Sequence, residues 1–224
     1  MSFVVAIDGT AGTGKGTVTK ILAEKFNLAN IDTGAMYRCV TLECIRRNIL
    51  CTELEKIEKV LDEIKIEFKN QGDSKLVYLN DENVTTKIRT DEVNNAVSDF
   101  SMVKLIRDKI TPMQRKMGEL SDIIMEGRDI GTTVFPNANV KIYLDATPEE
   151  RANRRIKQNI ENGISNQSYE QILENIKNRD YLDSHREISP LKQAEDAIYI
   201  DTTNLSIDEV VEKISEIIRS KLNG

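Results

Sequence analysis

A β-branched run, Phe3-Val4-Val5-Ala6-Ile7, passes through Asp8 into Gly9-Thr10-Ala11-Gly12-Thr13-Gly14-Lys15-Gly16-Thr17, and apolar residues at helical spacing follow at Val18, Ile21, Leu22 and Phe26. The run reads as a buried parallel strand and the stretch from about Gly14 to Lys25 as a helix, so that strand, turn and helix open a βαβ unit. The glycines let the backbone curl into a ring of N–H donors. The helix N-terminus adds partial positive charge, and Lys15 places an ammonium where phosphate charge shifts during transfer. Residues 9–17 are therefore expected to bind a nucleoside triphosphate. A dinucleotide site is excluded, because Thr17 stands where G-x-G-x-x-G needs its third glycine. Ser or Thr usually follows the lysine, whereas here Gly16 does and Thr17 comes next. Magnesium is accordingly expected to be held through phosphates and water.

Later segments repeat the strand signal. Ile123 to Met125, Val140 to Leu144 and Ile198 to Ile200 each end in acidic or small polar residues, and a shorter run around Asn30-Ile31-Asp32 ends in Thr33-Gly34. Helical patterns separate them. The expected fold is α/β, with a five-stranded parallel sheet flanked by helices and ligands beyond the C-terminal strand ends. Two stretches depart from the alternation. Residues 64–88 alternate and carry turn punctuation at 70–73 and 80–83, which reads as a small antiparallel meander. Residues 148–188 are polar, with two helical patterns broken at Asn162-Gly163. Thr147-Pro148-Glu149-Glu150 opens the first pattern as a capping box, and Ser168 with Gln171 can open the second. The chain thus reads as one domain with its core at about 1–37, 89–147 and 189–224, carrying insertions at 38–88 and 148–188.

Composition closes off other classes. The net charge of −6 disfavours a nucleic-acid polymer, whose affinity comes from a basic face. No apolar run is long enough to span a membrane, and Phe3 to Ile7 is too short for a signal-peptide core. Cys39, Cys44 and Cys51 lack metal or disulfide spacing and read as reduced thiols, so a cytoplasmic protein is expected. No exposed apolar interface is recognisable, and a monomer is the default. The single histidine, His185, leaves little for His-based catalysis.

Gly-Lys-Gly-Thr at residues 14–17 resembles the nucleoside monophosphate kinases. Ile31-Asp32-Thr33-Gly34-Ala35-Met36-Tyr37-Arg38, Glu126-Gly127-Arg128-Asp129-Ile130-Gly131-Thr132 and Arg179-Asp180-Tyr181-Leu182-Asp183-Ser184 sharpen the resemblance, as do Ser189-Pro190-Leu191 and Ile200-Asp201-Thr202. In that order, over nearly the whole chain, they resemble the bacterial cytidylate kinases, a phosphate-loop family. The resemblance implies transfer of a phosphoryl group from ATP to CMP or dCMP with Mg²⁺, in pyrimidine nucleotide metabolism. It implies that Ser98 and Arg107 read the cytosine edge. Arg38, Arg128 and Arg179 would clamp the monophosphate and the transferring group, and Asp183 would contact the sugar. It further implies that Arg186 makes a second contact to that nucleotide, with Asp129 beside the acceptor pocket and Thr33 at a small-hydroxyl position. Lys15, Arg128 and Arg179 would be the catalytic cations.

Some readings stay open. Arg151, Arg154 and Arg155 fall on the expected lid over the ATP phosphates, and Arg151 fits a solvated helix face equally well. Arg179, Asp183 and Arg186 are spaced i, i+4, i+7 and share one face if helical; alone they would be a surface ion pair. Glu126 or Asp129 would orient magnesium-bound water. Rival readings are an adenylate, guanylate or shikimate kinase, a GTP-binding switch or regulatory ATPase, and a non-catalytic nucleotide-binding module. The meander and the 179–186 set argue against the first. The lack of Asn-Lys-x-Asp argues against a GTP switch, and an intact Lys15 against the last. The acidic chain is expected to gather Lys15, Arg38, Arg107, Arg128, Arg179 and Arg186 in one cleft.

Overall fold

The computed structural model describes residues 2–71, 74–161 and 167–222. Its contacts divide the chain into two compact units, one formed by 1–31 with 115–224 and the other by 32–114.

The first unit is built on a five-stranded sheet in the order β2-β6-β1-β7-β8, with β1 Val4–Gly9, β2 Ala29–Asp32, β6 Ile123–Gly127, β7 Val140–Asp145 and β8 Ile198–Asp201. Strand β1 is buried throughout and lies between two parallel neighbours, Ile7 opposite Glu126 on one side and Ile142 on the other. Such a position requires the near-continuous apolar run seen in the sequence. Strand β1 continues past Ile7, so that Asp8 and Gly9 are its last residues.

The two faces of the sheet are covered differently. Val5, Ile7, Ile142 and Leu144 pack with Val18 and Leu22 of α1 (Lys15–Phe26) and with Val210, Ile214 and Ile218 of α8 (Ile207–Leu222). Val4, Ala6, Ile123 and Met125 meet Ile130 and Val134 from a π-helical turn, Ile130–Val134. Each fully buried aliphatic side chain adds ~1.5–3 kcal/mol through its removal from water. Beyond β7, helices α6 (Pro148–Glu161) and α7 (Tyr169–His185) pair through Ala152, Ile172 and Ile176. Ser168 and Gln171 form the expected capping box at the start of α7. At α6 the Glu150 N–H donates to Thr147 Oγ1 at 3.3 Å. The break expected at Asn162-Gly163 lies outside the described residues.

The second unit joins helices α2 (Thr33–Arg46), α3 (Leu54–Glu63) and α4 (Asp91–Met102) to an antiparallel sheet of β3 (Ile66–Gln71), β4 (Ser74–Leu79) and β5 (Glu82–Asn83). The register pairs Ile66 with Leu79 and Phe68 with Val77. This is the meander the alternation indicated, although Gly72 and Asp73 of its first turn lie outside the described residues. Helix α5 (Lys104–Leu120) carries Pro112 inside it and runs from the second unit into the first.

Candidate active site

In the first unit the register brings four strand ends to one edge. Asp8 lies beside Gly127, Gly9 beside Leu144, and Asp145 beside Asp201. The glycine-rich loop from Gly9 to Gly14 leaves this edge and enters α1 at Lys15. Gly9 has φ 148°, and a Cβ there would sit 1.9 Å from the Leu144 carbonyl oxygen, so no other residue fits. A Cβ at Gly16 would lie 3.2 Å from Glu126 Oε1, so a side chain after Lys15 would press on that carboxylate.

Lys15 is buried and folded onto the loop. Its Nζ donates to the carbonyl oxygens of Gly9 (3.0 Å) and Thr10 (2.5 Å) and lies 3.2 Å from Thr13 Oγ1. Burial lowers its pKa from 10.5 to about 7, with the Arg128 and Arg179 charges acting in the same direction and Glu126 and Asp8 opposing them. An anion at the loop would relieve this penalty.

Behind the loop lies a connected set of charges. Arg128 Nε donates to Asp183 Oδ2 at 2.9 Å, and Arg179 Nε is 4.0 Å from the same oxygen. Arg186 donates to Asp129 Oδ1 at 3.1 Å and to the Ser189 carbonyl at 2.6 Å. Burial raises the Asp183 pKa, but the Arg128, Arg179 and Arg186 charges outweigh it and hold the carboxyl below its usual value. The 179–186 set is thus brought together, though not as one helical face. Helix α7 ends at His185, and Arg186 is its extended cap residue with ψ 141°. The chain turn, not helical periodicity, aims its guanidinium at Asp129.

The three arginines of α6 separate. Arg151 is not on a solvated face; it is 2% exposed and paired with Asp180 at 2.6 Å. Arg154 donates to the Thr202 carbonyl at 2.6 Å and to Glu150 at 2.8 Å. Arg155 bonds only within its own helix among the contacts described, to Gln158 at 3.2 Å. Thr10 Oγ1 donates to Asp145 at 2.7 Å, and Thr17 is exposed on α1.

The sequence reading missed Asp8. Its two carboxylate oxygens accept the Ile130 and Gly131 N–H groups at 2.7 Å each, so the end of β1 holds the start of the π-helical turn that follows Arg128-Asp129. Burial pushes its pKa up to about 6, against the two N–H groups. The only local signal was an acidic residue interrupting a strand just before the glycines.

In the second unit, Asp32 caps α2 by accepting the Ala35 N–H at 3.0 Å, and Thr33 begins the helix, buried. Arg38, on the same helix, donates to Asn94 Oδ1 at 3.3 Å. Arg89 pairs with Asp32 at 2.9 Å. Burial raises the Asp32 pKa, but the Arg38 and Arg89 guanidinium groups outweigh it and keep the carboxyl low. Ser98 and Arg107 are both buried and are linked through Ser101. The Ser101 hydroxyl donates to the Ser98 carbonyl at 2.8 Å, and Arg107 Nη1 donates to the Ser101 carbonyl at 3.0 Å. The Arg107 guanidinium also lies 5.3 Å from the Tyr37 ring centroid.

A phosphate-loop edge backed by arginines, in an acidic chain, narrows the choice to enzymes that handle phosphorylated small molecules. A sequence model of the cytidylate kinases matches residues 5–220. The chain belongs to the cytidylate kinase family. Relatives named cytidylate kinase include those of Fusobacterium nucleatum (48% identical, 96% of this chain and 96% of that protein), Bacillus subtilis (47%, 97% and 96%) and Lactobacillus gasseri (50%, 97% and 94%). Among solved structures, an uncharacterized protein from Eubacterium ventriosum superposes with TM-score 0.53 at 15% identity, over 98% of this chain and 99% of that one. A gluconokinase from Sinorhizobium meliloti gives 0.50 at 10%, over 99% and 94%. These two likenesses concern the fold alone. Among the described residues, no helix is long and apolar enough to cross a membrane.

Proposed function

We propose that this cytidylate kinase family member transfers the terminal phosphoryl group of ATP to CMP or dCMP, giving ADP and CDP or dCDP. The observation that carries the reading is Lys15, buried at the helix entrance and held by the loop's own carbonyls beside Arg128 and Arg179. The acceptor atom is a phosphate oxygen, ionised near neutral pH, so no side chain has to remove a proton. Catalysis then rests on alignment and charge. Residues 9–17 take the donor phosphates through backbone N–H groups and Lys15. Arg128 and Arg179 carry the charge of the transferring group, and Arg38 and Arg186 hold the acceptor phosphate. Asp183 binds the sugar hydroxyl, Asp129 stands beside the acceptor pocket, and Thr33 supplies a small hydroxyl to substrate binding. Arg154 and Arg155 face the donor.

Cytosine recognition is assigned to Ser98 and Arg107. Arg107 is buried and oriented by its bond to the Ser101 carbonyl, and a buried polar site of that kind rejects a base that leaves its groups unpaired. The segments 38–88 and 148–188 are assigned to binding and closure over the nucleotides, which would exclude water and suppress ATP hydrolysis.

Mg²⁺ fits the residues present. It usually keeps several waters and needs one or two carboxylates beside the phosphates, not a protein cage. Glu126 offers such a carboxylate against Gly16 at the loop, and Asp129, held by Arg186, is the second candidate. When bound, the ion neutralises phosphate charge, and Glu126 would hold its water. Localisation in the cytoplasm and action as a monomer complete the proposal.

A coupled ADP-release assay over CMP, dCMP, UMP, AMP and shikimate tests it. Turnover with CMP or dCMP well above the other acceptors is the expected result. A preference for AMP or shikimate would reject it.

A further inference from the structure

Arg151 has no place in the donor or acceptor assignments above, yet it is among the most buried charged residues of the chain at 2% exposure. Its three donor groups point three ways. Nε donates to the Ala146 carbonyl at 2.9 Å, just after β7. Nη1 donates to the Ala11 carbonyl at 3.1 Å, inside the glycine-rich loop. Nη2 pairs with Asp180 Oδ2 at 2.6 Å, on α7. A second observation fixes the same junction: a Cβ at Gly12 would come 3.3 Å from Arg151 Cβ, so loop and helix α6 touch directly. A buried guanidinium is tolerated only when its donors are satisfied, and its planar fork here spreads them over acceptors on three separate elements.

Asp180 is flanked in α7 by Arg179 and, one turn later, Asp183, with Arg186 capping the helix. One end of the Arg151 fork is thus on the donor loop, and the other is on the helix that carries the phosphate-handling residues.

We propose that Arg151 is a positioning residue that couples the phosphate loop to α7, so that filling the loop orders the helix bearing Arg179, Asp183 and Arg186. This rests on the reading of residues 9–17 as the donor site. Coupling of this kind acts through one contiguous set of bonds, from the Ala11 carbonyl through the guanidinium to Asp180. Ordering the loop in one geometry fixes the fork, and the fork fixes Asp180. The same junction ties the first turn of α6 to the sheet edge.

The test is backbone hydrogen exchange with and without ADP and Mg²⁺ in the full-length wild type, Arg151→Lys and Asp180→Asn. In the wild type, ADP should slow exchange both in residues 9–17 and across 175–185, by at least about fivefold, the lower range of site-to-site coupling. In both variants the loop should still be protected and the protection of 175–185 lost. In steady state Arg151→Lys should raise KM for CMP more than it lowers kcat, although Arg151 is not assigned to the acceptor. Unprotected 175–185 in the wild type would overturn the proposal, as would equal protection in wild type and variants. Asp180→Asn, a nearly isosteric change, decides the matter if Arg151→Lys does not fold. Turnover of CMP by the same wild-type preparation shows separately whether the acceptor reading holds.

Discussion

Lys15 offers a quantitative handle on the donor site. Its ammonium is buried against three acceptors of the loop, and its pKa falls from 10.5 to about 7. A displacement of that size corresponds to ~5 kcal/mol of penalty on the charged form. A polyphosphate bound at the loop supplies the opposite charge that removes the penalty and returns the pKa upward. The sign follows directly: between about pH 7 and pH 10 the empty site is mostly neutral and the filled site protonated, so binding takes up a proton. With a pKa lowered to about 7, proton uptake should be substantial at pH 8 and small at pH 6, where Lys15 is already largely charged. The measurement is calorimetric titration of ADP with Mg²⁺ in buffers of different ionisation enthalpy, for the wild type and Lys15→Met. Subtracting the variant removes the nucleotide's own titration. Equal proton uptake by the two proteins at pH 8 would refute the reasoning, as would a wild-type uptake that does not fall toward pH 6.

Three further outcomes are expected. Asp8 has a folded pKa of about 6 against 3.8 when unfolded, so the folded state binds the extra proton in between, and its burial costs stability as pH rises through that window. Denaturant unfolding should therefore show Asp8→Asn gaining ~3 kcal/mol relative to wild type between pH 3.5 and pH 7; a pH-independent difference would contradict this. Arg107→Ala should weaken CMP binding at least about tenfold, a loss in the range of a charged hydrogen bond, and leave ADP binding nearly unchanged; equal losses in calorimetry would remove its base-reading role. Gly16→Ser puts a side chain 3.2 Å from Glu126 Oε1 and should displace that carboxylate. Its apparent Mg²⁺ requirement should rise several-fold in nucleotide titrations, and an unchanged requirement would detach Glu126 from the metal.

What the sequence revealed and what it hid divide by range. The strand, glycine loop and helix at residues 4–26 are local, and every signal for them lies within a few residues. The meander was legible for the same reason, since Ile66, Phe68, Val77 and Leu79 alternate and are punctuated by turn residues. Asp8 was not legible, because its partners Ile130 and Gly131 are more than a hundred residues away and meet it only through the β1–β6 register. Arg151 sits in a helix so polar that periodicity leaves a ligand-facing and a solvated position equally open. Its burial follows from the approach of the loop at Gly12 and of Asp180 from another helix. Whether Arg186 belonged to the helix stayed open, because i+7 spacing cannot reveal that α7 stops one residue earlier. The departure at Gly16 was visible in the sequence, but the Glu126 carboxylate that faces it is a tertiary fact.

The central claim is that the loop holding Lys15 delivers a phosphoryl group to a cytidine monophosphate and not to water. Phosphorus NMR of ATP, Mg²⁺ and CMP mixed with the enzyme tests it most directly. The account predicts that ADP and CDP appear in equal amounts with no inorganic phosphate, and that Lys15→Ala abolishes both signals. Formation of ADP with inorganic phosphate and no CDP would contradict it.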